Sequence, residues 1–306
     1  MAIIYPLIAV LIWAVNTIVN KLSAGAIDPA AISFYRWFLA VLLLTPFILP
    51  GTLRNWKLVK TYWWKLLILS FLGMALYQSL AYYAAYTISA LTIGIFVSLI
   101  PLLTVLISII VLKTPPTQGT LFGGLLSFGG ILWLISGGDP AQLLEIGIGK
   151  GELMMLTAAI AYALYGVLTK RWAIQLPNWQ SVYMQALFGM LLLLPGFLMA
   201  ENVELNAINI PLVLYAGIPA SVIAPFVWIQ GVMKLGASKA ALFMNITPII
   251  TAAIAIIFLH EPIHSYHLLG GGLSLIGVIL AQRMNKPLGR RPIPSEIEEI
   301  RLDKGN

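Results

Sequence analysis

Ten apolar segments, each about as long as a membrane-spanning helix, follow one another along this sequence. Crossing the hydrocarbon core of a bilayer takes about 20 mostly apolar residues in a helix. The turns between the segments are short, and none could hold a soluble domain. The sequence therefore predicts an all-α integral membrane protein with ten transmembrane helices. The segments lie near residues 3–20, 30–49, 64–85, 91–112, 119–137, 152–169, 180–199, 210–232, 238–259 and 267–283.

Composition agrees with a membrane environment. Of the 306 residues, 60% are hydrophobic and 9% are charged, whereas soluble domains carry about 25% charged residues. Cysteine is absent, which excludes disulfides, thiolate catalysis and cysteine-ligated metal sites. The net charge of +7 does not indicate a nucleic-acid partner, because the basic residues lie in short loops and in the C-terminal tail.

The distribution of lysine and arginine predicts the orientation in the membrane, since cytoplasmic loops carry the excess of these residues. With a cytoplasmic amino terminus, 15 of the 18 basic residues fall on the cytoplasmic side. Lys21 and Lys150 fall outside, and Arg36 lies in the second span. An even number of spans then places both termini in the cytoplasm.

The sequence contains an internal duplication. Residues 90–134 overlay residues 237–281 after a shift of 147 positions, with 15 identical pairs among 45 and no gap. Apolar composition alone does not produce matched prolines, glycines and serines, such as Pro101 with Pro248. A shift of 149 aligns the earlier spans. Because each copy has five spans, an odd number, the two copies must cross the membrane in opposite senses, a recurring plan of transporters.

The duplication predicts how the chain is divided. Residues 1–137 form the first five-helix repeat, and residues 138–151 form an external linker. Residues 152–283 form the second, inverted repeat, and residues 284–306 form a polar cytoplasmic tail whose basic half is expected near anionic lipid.

Motifs from about residue 3 to residue 283 resemble those of a known family. They are Trp13, Lys21, Pro29, Phe34-Tyr35-Arg36, Pro101, Pro248, Glu261-Pro262, Gly270-Gly271 and Gly277. With them the chain resembles the EamA-type transporters of the drug/metabolite transporter superfamily. The resemblance implies ten helices in two inverted repeats, a central cavity, and export or exchange of amino acids and other small metabolites. The family's usual glutamate after the fourth span is Thr114 here, so that element survives only at Glu261.

Polar and aromatic side chains mark one face of the first helix in each copy. Trp13, Asn16 and Asn20 share a face by their i, i+3, i+7 spacing. The residues aligned with them in the second copy are Tyr162, Tyr165 and Thr169. Polar groups at bilayer depth are costly, which makes them functional candidates. Two interpretations stay open, namely a cavity wall that binds a small solute and interhelical hydrogen bonds with interfacial aromatics.

Other spans add candidates of the same kind. Each mid-span proline removes a backbone hydrogen bond and frees a carbonyl, which suits either a gating kink or a static one. We expect Pro101 and Pro248 to act in gating. The predicted substrate-binding residues are Trp13, Asn16, Asn20, Gln78, Tyr82, Ser98, Tyr162, Tyr165, Trp228, Gln230 and Asn245.

Three further features are interpreted as structural. Arg36 is expected near the outer headgroups, where its long stem can snorkel, although it could instead attract a carboxylate or phosphate. Glu261 is expected to contact a helix end. The alternative, a metal site formed with the three neighbouring histidines, is disfavoured because the sequence offers no further histidine or cysteine ligand to complete it. Small residues are expected to form helix-packing faces, namely glycines 123, 124, 130, 270, 271, 272 and 277 with Ser127 and Ser274.

The absence of acidic residues from the middle of the spans limits the function. Proton-driven export of a cation normally needs a buried carboxylate, and Glu152, at the outer end of the sixth span, is the nearest. We therefore expect alternating access, by an exporter or facilitator, for a neutral, zwitterionic or weakly anionic metabolite such as an amino acid. The expected location is a bacterial cytoplasmic membrane, with the protein a monomer or weak oligomer.

Other classes of function are less compatible with the sequence. An intramembrane enzyme needs a catalytic set, yet no histidine or aspartate lies mid-span and the HExxH signature is absent. A channel needs rings of charge or filter loops, and the sequence shows neither. The remaining alternative is a non-transporting membrane assembly or sensor subunit. No cofactor, metal or nucleic acid is predicted.

Overall fold

The computed structural model describes residues 2–141, 148–236, 240, 243–284, 286 and 288. Within these ranges all regular structure is helical, and nine helices are long and apolar enough to cross a bilayer, with one shorter apolar helix besides. The prediction of an all-α membrane fold is confirmed. The helices are α1 Ile4–Ser23, α2 Pro29–Arg54, α3 Trp56–Ala84, α4 Ala90–Val111, α5 Gln118–Ile135, α6 Lys150–Trp172, α7 Asn178–Leu198, α8 Ile210–Leu235, α9 Thr247–Leu259 and α10 Ser265–Arg283.

Part of the predicted organisation lies outside the described residues. This applies to residues 142–147 of the predicted linker, to residues 237–239 and 241–242 before α9, and to almost all of the predicted tail. The ninth segment, predicted near 238–259, contains the shorter helix α9, which begins at Thr247. Of the helices whose starts lie wholly within the described residues, α3 differs most, since it begins at Trp56 rather than near residue 64. Its first turns mix lysines with aromatic and aliphatic residues, a composition that suits the membrane interface and is therefore missed by a search for apolar runs.

Large apolar side chains point outward from the bundle. Phe47, Ile110, Met199 and Phe258 are each more than 70% exposed. The largest buried apolar cluster centres on α4, where Phe96, Leu99 and Leu102 are fully buried against α1, α3, α5, α6 and α10. A surface of this kind is stable in lipid, which solvates apolar side chains.

Both mid-span prolines follow a break in their helix. In α4 a turn at Leu99 separates Ala90–Ser98 from Ile100–Val111, and Pro101 lies in the first turn of the second segment. In α9 a turn at Asn245 and Ile246 comes directly before Thr247–Leu259, which carries Pro248 in its first turn. Proline fits there because the first-turn amides have no intrahelical partner. The same interruption thus occurs in both copies.

Helices α3 and α8 each contain a π-helical segment. The segments are Phe71–Leu76 in α3 and Pro219–Ile223 in α8. They occupy corresponding places in the two copies, since either shift of the duplication overlaps them. Such segments are rare and frequently lie at functional sites.

Glycine and serine bring α5 and α10 into close antiparallel contact. Gly123 packs on the backbone of Gly277, and Gly130 packs on that of Gly270. Between them, the Oγ atoms of Ser127 and Ser274 are 3.2 Å apart. The predicted packing face is confirmed for these residues. By contrast, a methyl group at position 124 or 272 would meet no backbone atom.

Glu261 joins the α9–α10 loop to the start of α4. Its two carboxylate oxygens accept hydrogen bonds from the amides of Ala90 and Leu91, at 2.8 and 3.0 Å. These amides have no partner within their own helix, and the positive end of the helix dipole favours an anion there. The predicted helix-end contact of Glu261 is confirmed.

Candidate solute-binding cavity

A central cavity with two adjoining chambers lies among helices from both copies. The smaller chamber is about 90 Å³ and the larger is about 370 Å³. Helices α1, α2, α3, α6 and the residues before α9 line both, α4 closes the smaller chamber, and α7 and α8 close the larger. The residues that face both chambers are Trp13, Arg36, Gln78, Tyr162 and Met244.

The smaller chamber is polar. Asn16 and Asn20 of α1 line it together with Gln78 of α3. The Asn16 amide donates to Asn20 Oδ1 at 3.4 Å. Gln78 Oε1 and Thr247 Oγ1 are buried without a hydrogen-bond partner within the described residues. Unsatisfied buried acceptors are costly, so this chamber is suited to a ligand that supplies hydrogen bonds.

The larger chamber is aromatic. Trp13 of α1 and Trp228 of α8 face each other with ring centroids 5.6 Å apart. Tyr162 of α6 lies 5.3 Å from Tyr165 and 4.6 Å from Tyr77 of α3. Aromatic walls of this kind hold apolar or planar groups through large contact areas. The aligned positions of the two copies, Trp13 and Tyr162, therefore come together at one cavity.

The π-helical segments hold these aromatic rings in place. The Trp13 indole donates to the carbonyl of Ala220, in the segment of α8, at 3.2 Å. The Trp37 indole donates to the carbonyl of Met74, in the segment of α3, at 2.9 Å. Gly73 of the same segment lies directly beneath the Tyr165 ring. Each copy thus uses its π segment to position a ring from a neighbouring helix.

Gly73→Ala is expected to reduce solute flux while leaving the protein folded. The added methyl group would lie 2.8 Å from Tyr165 Cδ2, so the ring, which lines the larger chamber, must shift from its position. The matched control is Gly166→Ala in α6, where a methyl group meets nothing within 4 Å. Uptake into liposomes carrying each variant at equal protein density measures the effect. Equal flux in both variants would show that the position of Tyr165 is unimportant.

Arg36 corrects an expectation drawn from the sequence. Rather than reaching the headgroups, its side chain is 3% exposed and lines both chambers. Its Nη1 donates to Asn16 Oδ1 at 3.1 Å and to Tyr82 Oη at 3.4 Å. Burying an arginine within a membrane helix is costly, by roughly 2.5–3.5 kcal/mol at the helix centre on insertion scales. Arg36 lies in the first third of α2, and its partners are these two neutral groups and the Trp37 ring, 5.5 Å from its Cζ.

A signal for this placement was present in the pattern of α2. Arg36 shares a helical face with Ser33 and Ala40, both buried, while Phe38 and Leu42 are exposed on the other face. Small residues mark the side of a membrane helix that packs on its neighbours. The arginine therefore belonged to the inner face.

Some predicted residues lie away from the central cavity. Tyr82 is fully buried behind Arg36, and Gln230 lines neither chamber. Ser98 donates to its own helix at the Ile95 carbonyl and, with Pro248, borders a separate apolar cavity of about 260 Å³. Asn245 donates to Gln282 Oε1 at 3.1 Å. The structure thus brings together Trp13, Asn16, Asn20, Gln78, Tyr162, Tyr165 and Trp228.

A further pocket lies beside the α9–α10 loop. Glu152, Glu261, His264 and His267 border it. Among the residues that the structure describes, no group of three or more histidine, aspartate or glutamate side chains is placed to hold a metal ion.

Comparison with known proteins identifies relatives over nearly the whole length. A model of the EamA-like transporter family matches residues 1–136 and 149–282. The uncharacterized transporter YyaM of Bacillus subtilis is 27% identical over 85% of this chain and 87% of its own. An uncharacterized transporter of Archaeoglobus fulgidus is 26% identical over 89% and 94%. A solved crystal structure shares the fold at 17% identity, with a TM-score of 0.61 over 94% of this chain and 99% of that one.

Proposed function

The chain belongs to the EamA-like transporter family of the drug/metabolite transporter superfamily, and we propose that it carries a small metabolite, such as an amino acid, by alternating access. The observation that carries this proposal is the central cavity, whose polar and aromatic walls come from both copies of the repeat. Export or facilitated movement of a solute needs no covalent step, so the proposed role is that of a carrier rather than an enzyme.

The contact between α5 and α10 supports an inverted arrangement of the two repeats. Ser127 and Ser274 are equivalent under the shift of 147, and they touch each other. The Gly123–Gly277 contact becomes the Gly270–Gly130 contact when the copies are exchanged. A pair of antiparallel helices related in this way has its twofold axis across the helices, as in transporters built from inverted repeats.

The same arrangement gives the proposed topology. Residues 1–137 and 152–283 form the two inverted five-helix repeats, joined by an external linker at 138–151. The excess of lysine and arginine on one side supports a cytoplasmic location for both termini and for the tail, 284–306. The proposed location is the cytoplasmic membrane of a bacterium, as the Bacillus relative supports.

We assign roles within the cavity from its geometry. Trp13, Tyr162, Tyr165 and Trp228 clamp the body of the solute, while Asn16, Asn20 and Gln78 bind its polar groups. The breaks before Pro101 and Pro248 lie where α4 and the start of α9 border the smaller chamber. We propose that these two breaks are the hinges that open the cavity to each side in turn.

Uptake from a defined mixture tests the proposed function. Liposomes carrying the purified protein are mixed with amino acids and other small metabolites, and their contents are read by mass spectrometry against protein-free liposomes. Selective accumulation of a solute class is the expected result. Folded protein that accumulates nothing, with pH and ion gradients applied in turn, would contradict a transport function and favour a non-transporting membrane subunit.

A further inference from the structure

The ten helices contain almost no acidic residue that could pair with the charge of Arg36. All eleven aspartates and glutamates lie outside the ten helices, except Glu152 in the first turn of α6. The acidic residue nearest along the chain is Asp28, which caps the start of α2. Eight residues of helix put it about 12 Å from Arg36 along the axis. A buried charge normally has a partner of opposite sign. Among the described residues Arg36 has instead the ring of Trp37, whose centroid lies 5.5 Å from its Cζ, and this cation–π contact compensates the charge only in part.

The guanidinium also has unused hydrogen-bonding capacity. Both of its hydrogen bonds within the described residues come from Nη1, and Nε is buried with no partner there. An arginine has five donors in a planar fork that matches the two oxygens of a carboxylate. Because Arg36 lines both chambers, an anionic group in the cavity could fill these positions.

Other parts of the cavity wall are aromatic. Trp13, Trp228 and Tyr165 line the larger chamber, and among the described residues no carboxylate lines either chamber. These faces suit an apolar or planar body of limited size, since the larger chamber of about 370 Å³ is near the lower end of ligand pockets. An ammonium group would meet ring faces but no opposite charge.

Building on the proposed function, we propose that Arg36 is the binding residue for the anionic group of the solute. The solute is then a small monocarboxylate, with its carboxylate at Arg36 and an apolar or aromatic body between the tryptophans. Asn16 and Tyr82, which share Nη1, position the guanidinium for this contact. An amino group is compatible with such a solute but is not required for its binding.

Matched pairs of probes test this assignment on the full-length protein. The carboxylates 3-phenylpropionate and indole-3-acetate are compared with their neutral amides, 3-phenylpropanamide and indole-3-acetamide. Affinity is measured from the ligand-induced rise in Tm in detergent, and transport from the uptake into protein-containing liposomes above that into protein-free liposomes. We expect each carboxylate to bind and enter at least tenfold better than its amide. Inorganic phosphate, and liposomes with or without anionic lipid, should leave this preference unchanged.

Variants of Arg36 test which residue gives the preference. Arg36→Gln should reduce the tenfold preference to near unity, and Arg36→Lys should keep part of it, because lysine retains the charge without the fork. The control is Arg54→Gln, which removes the same charge from the exposed last turn of α2 and should behave like wild type. If Arg36→Gln does not fold, Arg36→Lys carries the test, and an undiminished preference for carboxylates in that variant would contradict the role of the guanidinium fork.

The outcomes separate this assignment from the transport function. Uptake of solutes with no preference for carboxylates, or a preference that survives in Arg36→Gln, would overturn the role of Arg36 and leave transport standing. Competition by phosphate at equal concentration would overturn the assignment of a monocarboxylate solute. Binding of carboxylates through Arg36 without uptake of any solute would support the site and contradict the proposed function. Neither binding nor uptake by folded protein would contradict both.

Discussion

Gly123→Ala and Gly277→Ala should each destabilise the protein more than a typical core substitution. A methyl group at position 123 would overlap the carbonyl oxygen of Gly277 and lie 2.6 Å from the amide nitrogen of Ala281. At position 277 it would overlap the carbonyl of Gly123. Overpacking usually costs about 1–3 kcal/mol. Here the obstacle is backbone, which cannot rotate away, so α5 and α10 must separate along their contact.

A glycine in the same helix provides a control with the opposite sign. At Gly129 an added methyl group meets nothing within 4 Å, and alanine in a helix is favoured over glycine by about 0.5–1 kcal/mol. We therefore expect Gly129→Ala to raise Tm slightly and Gly123→Ala to lower it by on the order of 5–10 °C. Thermal unfolding in detergent measures both. Equal melting of Gly123→Ala and wild type would contradict the close contact of α5 with α10.

Tyr165→Ala and Gln78→Ala are expected to lower solute flux about tenfold or more without reducing the amount of folded protein in the membrane. Tyr165 supplies an aromatic wall of the larger chamber, and Gln78 faces both chambers with a free acceptor. A tenfold loss corresponds to roughly 1.4 kcal/mol of solute binding, within the range for an aromatic or buried polar contact. Initial uptake rates at equal reconstituted protein give the measurement.

Residues of the same type outside the cavity serve as controls for these substitutions. Tyr83 of α3 is 42% exposed, and Gln175 lies exposed in the loop after α6. Tyr83→Ala and Gln175→Ala should transport like wild type. If the cavity variants matched their controls, the solute would have to pass elsewhere.

Much of the fold could be predicted from hydrophobic runs, because each helix must present apolar side chains to lipid. The ten segments correspond to the ten helices, and the polar stripe of Trp13, Asn16 and Asn20 does face a cavity. The stripe was predictable because its i, i+3, i+7 spacing puts three polar groups on one side of a single helix. The start predicted for α3 was too late, because its first turns carry lysine beside tryptophan and therefore do not form an apolar run.

What could not be predicted depends on which neighbour a side chain meets. Asn245 and Ser98 are polar and mid-span, yet Asn245 bonds to Gln282 and Ser98 to its own helix. Polarity alone does not separate such residues from those that face a ligand. The π segments of α3 and α8 were not predicted either, because the hydrophobic pattern of a helix does not distinguish π-helical from α-helical turns. For Arg36, the small residues on its face of α2 outweigh the tendency of long cationic side chains to snorkel.

A single cysteine in the cavity tests the central claim, that the cavity opens to each side of the membrane in turn. Because the chain has no native cysteine, Val182→Cys places its only thiol in the larger chamber, and Ile160→Cys on the exposed face of α6 is the control. Membrane-impermeant thiol reagents are added to right-side-out or inside-out vesicles. We predict that Val182→Cys reacts from both sides, that a transported solute slows both reactions, and that Ile160→Cys reacts from neither. Reaction of Val182→Cys from one side alone, in a variant that still transports, would contradict alternating access through this cavity.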